Sequence, residues 1–138
     1  MADTPEVKLK KRLKALYKEC GALLVQPIGT VFTQAGVHDH ILCVLGVFVS
    51  VEVKAGKKGP TGPQKMFGRM VRQAGGHAFC INEATIDRFA AALRDAIEAH
   101  YPEEVASVFH RLQSGLENAL LFREDCEGVH VFDDQDEE

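Results

Sequence analysis

The chain has 138 residues, of which 46% are hydrophobic and 26% are charged, and its formal net charge is −4. This length accommodates one domain with one hydrophobic core. The main apolar block, residues 41–49, is far shorter than the roughly 18 residues that span a bilayer, so it is not a membrane helix. The four cysteines have no Cys-x-x-Cys spacing and follow no signal peptide, which leads us to expect reduced thiols and a cytoplasmic location.

The net charge hides two halves of opposite sign. Residues 1–72 contain 12 Lys and Arg against five Asp and Glu, whereas residues 73–138 contain four against 15. The first half therefore carries a net charge of +7 and the second a net charge of −11. Basic surfaces attract phosphate through counterion release, so the first half is expected to bind nucleic acid.

The first predicted helix covers about residues 5–20 and ends at Gly21, a typical helix stop. Its apolar positions recur at helical spacing and are expected to face the core, with a basic face in solvent. The inward residues are Leu9, Leu13, Leu16 and Tyr17, and the outward residues are Lys8, Lys11, Arg12 and Lys18. Residues 22–28 are predicted to form a first strand, and residues 29–36 a polar connection.

Residues 41–51 are predicted to form a hairpin that turns at Leu45 and Gly46. Counting outward from this turn places Asp39 directly opposite Glu52. Opposed side chains share a face with Cβ atoms about 4.5–5.5 Å apart, and Lys54, two residues on, points to the same face. The register depends on the turn, because leucine is unfavourable at positive φ and a slip of one residue would reverse the face of Asp39.

Two carboxylates and a lysine at one end of a hairpin suit phosphodiester chemistry. Mg²⁺ prefers oxygen ligands and is typically held by one or two carboxylates, which Asp39 and Glu52 could supply, with the Val53 carbonyl as a further ligand. The metal would lower the pKa of a bound water, and Lys54 would orient or deprotonate that water or stabilise the pentavalent phosphorus. The structural alternative is a weak ion pair at the surface.

Five basic residues are expected to contact phosphate around the second predicted helix. Lys57 and Lys58 lie on the loop before it, and Lys65, Arg69 and Arg72 follow i, i+4, i+7 spacing along it. This spacing predicts a shared solvent face opposite an apolar stripe. The stripe comprises Phe67, Met70, Val71 and Ala74. A solvated charged face without a ligand is the alternative.

The rest of the chain is predicted to be a short strand followed by helices. Residues 77–81 give a buried strand, parallel to the hairpin's second strand and reached by a right-handed crossover. Asn82 is expected to cap a helix that reaches about residue 100, and residues 103–121 give another. The apolar positions of these helices are Ile86, Phe89, Ala90, Leu93 and Ile97, then Val105, Val108, Phe109, Leu112 and Leu116. The acidic residues 133–138 are expected to be disordered.

Two motifs have a second interpretation. Thr61 and Gln64 fit a helix capping box, whether or not Gln64 also serves a site. His38, Asp39 and His40 invite comparison with HD-type phosphohydrolases. In a strand, however, both histidines would point away from Asp39, and the other ligands of such a site are not evident.

The order of these motifs resembles the PD-(D/E)XK nuclease superfamily, and within it the VRR-NUC branch, which is similar to Holliday-junction resolvases. The resemblance rests on Gly36-x-x-Asp39, Glu52-Val53-Lys54 and Gln64, and it covers about residues 6–81. His38 replaces the proline of the family's first motif, at a position where the family is permissive. The resemblance implies an α/β fold whose restriction-endonuclease-like core is a helix, a three-stranded meander, a helix and a parallel strand. One domain of residues 1–132 would contain this core (residues 5–82) and a helical extension (residues 83–122).

The resemblance also implies roles for residues. Asp39 and Glu52 would bind Mg²⁺ or Mn²⁺, Lys54 would serve the nucleophilic water, and Gln64 would lie beside them. A glutamate of the first helix often joins such a site, here Glu6 or, less favoured, Glu19. The expected activity is hydrolysis of DNA by a metal-dependent endonuclease, selective for branched or Holliday-junction DNA and acting as a homodimer.

Two other functions remain open from the sequence. One is a non-catalytic nucleic-acid-binding or assembly module on the same fold. The other is a nuclease subunit that needs a protein partner, docked on its C-terminal helices. The small size and compact motif set would suit a phage or mobile-element genome, and the sequence does not distinguish junction, flap, duplex or RNA substrates.

Overall fold

The computed structural model describes residues 2–28 and 34–116. In chain order the elements are α1 (Pro5–Cys20), β1 (Leu23–Val25), β2 (His40–Val44), β3 (Val47–Val53), α2 (Gly62–Gln73), β4 (His77–Ile81), α3 (Ile86–Ala96) and α4 (Pro102–Gly115). The strands form one mixed sheet in the order β1-β2-β3-β4. This arrangement confirms the predicted α/β fold, a restriction-endonuclease-like core followed by two helices.

The β2–β3 hairpin has the predicted register. Val44 is opposite Val47, and the pairing continues outward to His40 opposite Val51. Leu45 and Gly46 both have positive φ, of 50° and 88°, which is the geometry of the tightest hairpin turns. The leucine at the turn is therefore tolerated, and it does not cause the strands to slip.

One side of the sheet, here called the core face, holds the main hydrophobic core. Alternate residues of β3, namely Val49, Val51 and Val53, are fully buried there against α1, α3 and α4. Phe89 of α3 and Phe109 of α4 are also fully buried, and both rings contact Phe79 of β4. This face contributes most of the apolar burial in the described residues.

The opposite side, here called the α2 face, is covered in part by α2. Val71 of this helix packs against Ala78 and Cys80 of β4, which runs parallel to β3. Side chains alternate along a strand, so Ser50 and Glu52 of β3 point to the α2 face. Both residues are buried, because β3 lies between β2 and β4 in the sheet.

The first helix has the predicted bounds. Thr4 caps it by accepting the Val7 N–H, and it ends at Gly21, whose φ is 72°. Its predicted inward residues are all buried: Leu9, Leu13, Leu16 and Tyr17. The first strand, Leu23–Val25, is shorter than predicted and pairs only with β2, at one edge of the sheet. Most of the predicted 29–36 connection lies outside the described residues.

The C-terminal helices begin and end differently from the prediction. The Asn82 side chain accepts the N–H groups of Ala84 and Thr85, so it builds a turn and helix α3 starts only at Ile86. That helix ends at Ala96, which leaves Ile97 39% exposed. Helix α4 ends at Gly115, and residues 117–138, with the predicted acidic tail, lie outside the described part of the chain.

None of the helices in the described part of the chain has the length and apolar character needed to cross a membrane.

Candidate active site

Asp39 and Glu52 are joined across the open end of the β2–β3 hairpin by two hydrogen bonds. The Asp39 N–H donates to Glu52 Oε1 at 3.2 Å, and the Val53 N–H donates to Asp39 Oδ2 at 2.9 Å. Each carboxylate therefore binds the backbone of the other strand. These backbone N–H groups restrict the rotamers of both carboxylate side chains in the absence of a ligand.

Glu52 is nearly buried, with 3% of its surface exposed. Burial, aided by the charge of Asp39, raises the pKa of Glu52 to about 7, although the Lys54 ammonium acts in the opposite direction. Lys54 Nζ lies 3.5 Å from Glu52 Oε2, as expected for residues two apart on one strand face. The site thus contains a carboxylate that a positive charge would stabilise in its ionised form.

Lys54 is fixed at its backbone as well as by this ion pair. Its N–H donates to the Ile81 carbonyl at 3.1 Å, one residue beyond the end of β3. The side chain is only 17% exposed. The structure therefore brings together the three predicted residues Asp39, Glu52 and Lys54 at the end of β3.

Glu6 reaches this group through a residue that the sequence analysis missed. Lys10 Nζ lies 3.1 Å from Glu6 Oε2 and 3.3 Å from Asp39 Oδ1. Burial by itself would lower the pKa of Lys10, but the hydrogen bond to Glu6 and the charge of Asp39 outweigh it and raise that pKa. The i, i+4 spacing of Glu6 and Lys10 was the available signal, because it puts both on one side of α1.

The alternative first-helix residue lies elsewhere. Glu19 forms an ion pair with Arg94 of α3, with Nε 3.0 Å from Oε2. It is 13 residues from Glu6, about 20 Å along the helix axis. Of the two glutamates, the structure therefore brings only Glu6 towards Asp39, through Lys10.

Gly36 and His38, which precede Asp39, attach this end of the hairpin to the start of α2. A Cβ on Gly36 would lie 2.2 Å from the Pro63 carbonyl oxygen, and its φ is 80°. His38 Nε2 is 2.9 Å from the Gln64 carbonyl oxygen, and Nδ1 is 2.9 Å from Ser50 Oγ. Since a carbonyl only accepts, Nε2 carries the proton and Nδ1 accepts from the serine. The glycine and the histidine of the motif thus position α2.

Both histidines beside Asp39 have structural contacts. His38 is fully buried, and His40 is buried with Nδ1 2.9 Å from the Tyr17 hydroxyl. Burial lowers the pKa of each to about 4, so both are neutral at pH 7. In the described residues, no group of three or more His, Cys, Asp or Glu side chains could hold a metal. Their contacts, with Ser50 and Gln64 for His38 and with Tyr17 for His40, favour a structural role for both histidines over an HD-type metal centre.

The Gln64 side chain takes part in the capping box. Its Oε1 accepts the Thr61 N–H at 2.8 Å, and the Thr61 hydroxyl accepts the Gln64 N–H at 3.3 Å. The capping prediction is confirmed. A role of Gln64 at the reacting atoms stays a prediction, since its hydrogen-bonded oxygen serves the helix start.

The predicted basic face of α2 is wrong in part. Arg69 is only 9% exposed, whereas Met70 of the supposed apolar stripe is 41% exposed. Arg72 Nη2 donates to the Ala78 carbonyl at 2.7 Å, which attaches the helix to β4. The helix is rotated relative to the prediction, with Gly68 buried towards the sheet.

The three predicted lysines around α2 remain accessible. Lys57 and Lys58 are exposed and Lys65 is half-buried, so these three lysines are available to a ligand.

The donor atoms at this site fit a hard divalent cation. Asp39 and Glu52 offer carboxylate oxygens, and the Asp39 side chain is 26% exposed. Mg²⁺ and Mn²⁺ accept such a set, with waters completing the coordination. The Val53 N–H is bound to Asp39, and a ligand role for its carbonyl stays a prediction.

The chain matches no described protein family, no curated protein and no solved structure. Support for the site therefore comes from its own geometry and residues.

Proposed function

We propose that the protein is a metal-dependent endonuclease that hydrolyses phosphodiester bonds in DNA, with a preference for branched substrates such as Holliday junctions. The observation that supports this most is the interlocked pair of Asp39 and Glu52, with Lys54 3.5 Å from Glu52. The two carboxylates, one on β3 and one just before β2, provide oxygen ligands for Mg²⁺ or Mn²⁺, and the lysine adds a positive charge beside them.

Asp39 and Glu52 would hold the metal, with the Val53 carbonyl as a further ligand. The metal would supply a water of lowered pKa and neutralise charge on the phosphate. Lys54 would orient the attacking water through its ammonium group and stabilise the charge that develops on the phosphoryl oxygens. Glu52 must be ionised to bind a metal, and a divalent cation near its carboxylate favours that form.

The substrate class follows from charge and from the family resemblance. The first 72 residues carry the net charge of +7, and the exposed Lys57 and Lys58 lie three and four residues after Lys54. Lysines in such a position attract the phosphates that flank a scissile bond. Preference for branched DNA, and the homodimer that paired cuts would require, come from the resemblance to resolvases.

The test is cleavage of a labelled panel of four-way junction, flap, linear duplex and single strand, in Mg²⁺, Mn²⁺ or EDTA. We expect paired, symmetric nicks on the junction, none in EDTA, and a rate lower by about 10²-fold or more in Lys54→Ala. Lys18→Ala is the matched control, because Lys18 is an exposed lysine in the last turn of α1, two turns beyond Lys10. Absence of product from every substrate in every metal would exclude the nuclease.

A non-catalytic nucleic-acid-binding module is the second candidate. Its support is that the carboxylates already have protein partners, since Asp39 and Glu52 accept backbone N–H groups and pair with Lys10 and Lys54. Such a module would bind DNA with a steep salt dependence, equally well in Mg²⁺ and in EDTA, without product. Filter binding on the same panel, run beside the cleavage assay, separates the two functions.

A further inference from the structure

Lys10 lies on α1 between two carboxylates of the candidate active site. Its Nζ is 3.1 Å from Glu6 Oε2 and 3.3 Å from Asp39 Oδ1. The other oxygen of Asp39, Oδ2, accepts the Val53 N–H. Lys10 and the hairpin backbone thus contact different oxygens of the Asp39 carboxylate.

A cation held by Asp39 would compete with Lys10 for this carboxylate. A lysine ammonium is a compact point charge on a flexible stem, and the Lys10 side chain is 29% exposed, so it can move towards solvent without disrupting the core. Glu6 is one helical turn away and 37% exposed, which gives the displaced ammonium a second partner. The contacts therefore describe a lysine shared by two carboxylates, Asp39 in the site and Glu6 at its rim.

We propose that Lys10 competes with the divalent cation for Asp39: it neutralises Asp39 in the metal-free protein, and it gives up Asp39 and keeps Glu6 when the metal binds. This inference rests on the proposed function, because it requires a metal at Asp39 and Glu52. It makes Lys10 and Glu6 positioning residues. Glu6 then acts by holding the lysine and not by binding the metal.

The proposal predicts changes of metal affinity in opposite directions. Lys10→Met removes a positive charge beside the metal position, so we expect Mn²⁺ to bind about fivefold to tenfold more tightly. Lys10→Arg retains the charge and is expected to bind as the parent does. Glu6→Gln leaves the ammonium to Asp39 alone, so Mn²⁺ should bind about threefold more weakly.

The double variant separates an indirect role of Glu6 from a direct one. If Glu6 acts only through the lysine, Glu6→Gln should change Mn²⁺ affinity little in a Lys10→Met background, and the two effects will not add. If Glu6 is itself a ligand, its loss should weaken binding in both backgrounds. Non-additivity is therefore the signature of the proposed exchange.

The experiment is a Mn²⁺ titration of the whole chain at low ionic strength, followed by the electron paramagnetic resonance signal of the free ion. Lys11→Met is the matched control, because Lys11 is exposed on the same helix and forms its ion pair of 2.7 Å with Asp3, which precedes that helix. Asp39→Asn reports whether the titrated site is the expected one. Circular dichroism of each variant verifies that the fold is retained.

Tighter binding in Lys10→Met, with parent-like binding in Lys10→Arg and Lys11→Met, would support the proposal. Equal or weaker binding in Lys10→Met would overturn it, while the metal site and the proposed nuclease would stand. If neither the parent nor Lys10→Met bound Mn²⁺ at millimolar concentration, both the inference and the metal site would fail. Tight Mn²⁺ binding without DNA cleavage would exclude the proposed nuclease activity, while the proposed competition between Lys10 and the cation would still stand.

Discussion

The two faces of the central sheet carry different kinds of residue, although they share the same strand. On the core face, Val49, Val51 and Val53 of β3 belong to an apolar cluster with residues of α1, α3 and α4. On the α2 face, the intervening Ser50 and Glu52 are buried with polar partners. Alternation along one strand thus separates the residues that stabilise the fold from those that build the site. Changes on the two faces should therefore have separable effects.

The largest expected effect is on activity, from Asp39→Asn. The amide keeps an oxygen for the Val53 N–H but lacks the charge that a metal requires, so we expect cleavage to fall by about 10³-fold. The free energy of unfolding should change by less than about 1 kcal/mol, since Asp39 is partly exposed. Junction cleavage and urea unfolding on the same preparation measure both. If Asp39→Asn cleaved DNA at the parent rate, the assignment of Asp39 as a metal ligand would be wrong.

The opposite result is expected on the core face, from Phe89→Ala. This ring, on α3, is fully buried against Phe79 of β4, and its loss should lower the free energy of unfolding by about 3–5 kcal/mol. The control is Phe48→Ala, because Phe48 is 45% exposed and should cost less than about 1 kcal/mol. Cleavage per folded molecule should stay near the parent value. A large loss of activity in folded Phe89→Ala would contradict the separation of the two faces.

A pH-dependent effect is expected from Glu52, the buried acid of the α2 face. Its pKa is raised from 4.5 to about 7, so the folded protein binds more protons than the unfolded chain between these values. The resulting stabilisation is fully present below pH 4.5 and is lost as the pH rises through 7. Glu52→Gln lacks this dependence. The free energy of unfolding of Glu52→Gln, minus that of the parent, should therefore rise by about 3 kcal/mol as the pH increases from 4.5 to 8.

The measurement is urea unfolding of both proteins in EDTA at several pH values. His38 and His40 have pKa values lowered to about 4, and their stabilisation is lost as the pH falls below 6.5. Since both proteins contain these histidines, their contribution cancels in the difference. Adding Mg²⁺ at pH 8 should stabilise the parent more than Glu52→Gln. A constant difference across the pH range would show that Glu52 titrates normally.

The hairpin was predictable because its register depends only on local counting from the turn. Leu45 and Gly46 set the pairing, and the alternation then brings Asp39 to Glu52 and Lys54 to the same end. The capping box at Thr61 was predictable for the same reason, since its four residues determine it. Local rules therefore account for much of the site.

The rotation of α2 and the contact of Lys10 could not be predicted in this way. Arg69 is buried because of how the helix lies on β4, and the apolar spacing of the helix admitted a different face. Lys10 meets Asp39 only because α1 passes the end of β2, a contact between residues 29 positions apart. Such contacts depend on tertiary packing, which one sequence does not specify through its periodicity.

The smallest of these effects tests the junction between the hairpin and α2, at Gly36. Alanine there would have positive φ and would place its Cβ against the Pro63 and Gln64 backbone, so we expect a loss of about 2 kcal/mol in stability. Gly21→Ala is the control, because Gly21 also has positive φ but open space around it, and should cost about 1 kcal/mol.

The cleavage rates of Gly36→Ala and Gly21→Ala then show whether the contact between Gly36 and Pro63 also positions the site. Gly36 precedes Asp39 by three residues and touches the start of α2, so a shift there should move Asp39 relative to Glu52 and lower the cleavage rate about tenfold. Gly21→Ala should cleave as the parent does. If both variants lost stability equally and neither lost activity, the close approach to Pro63 would have no part in holding the site. The α2 face would then position its acids through the strands alone.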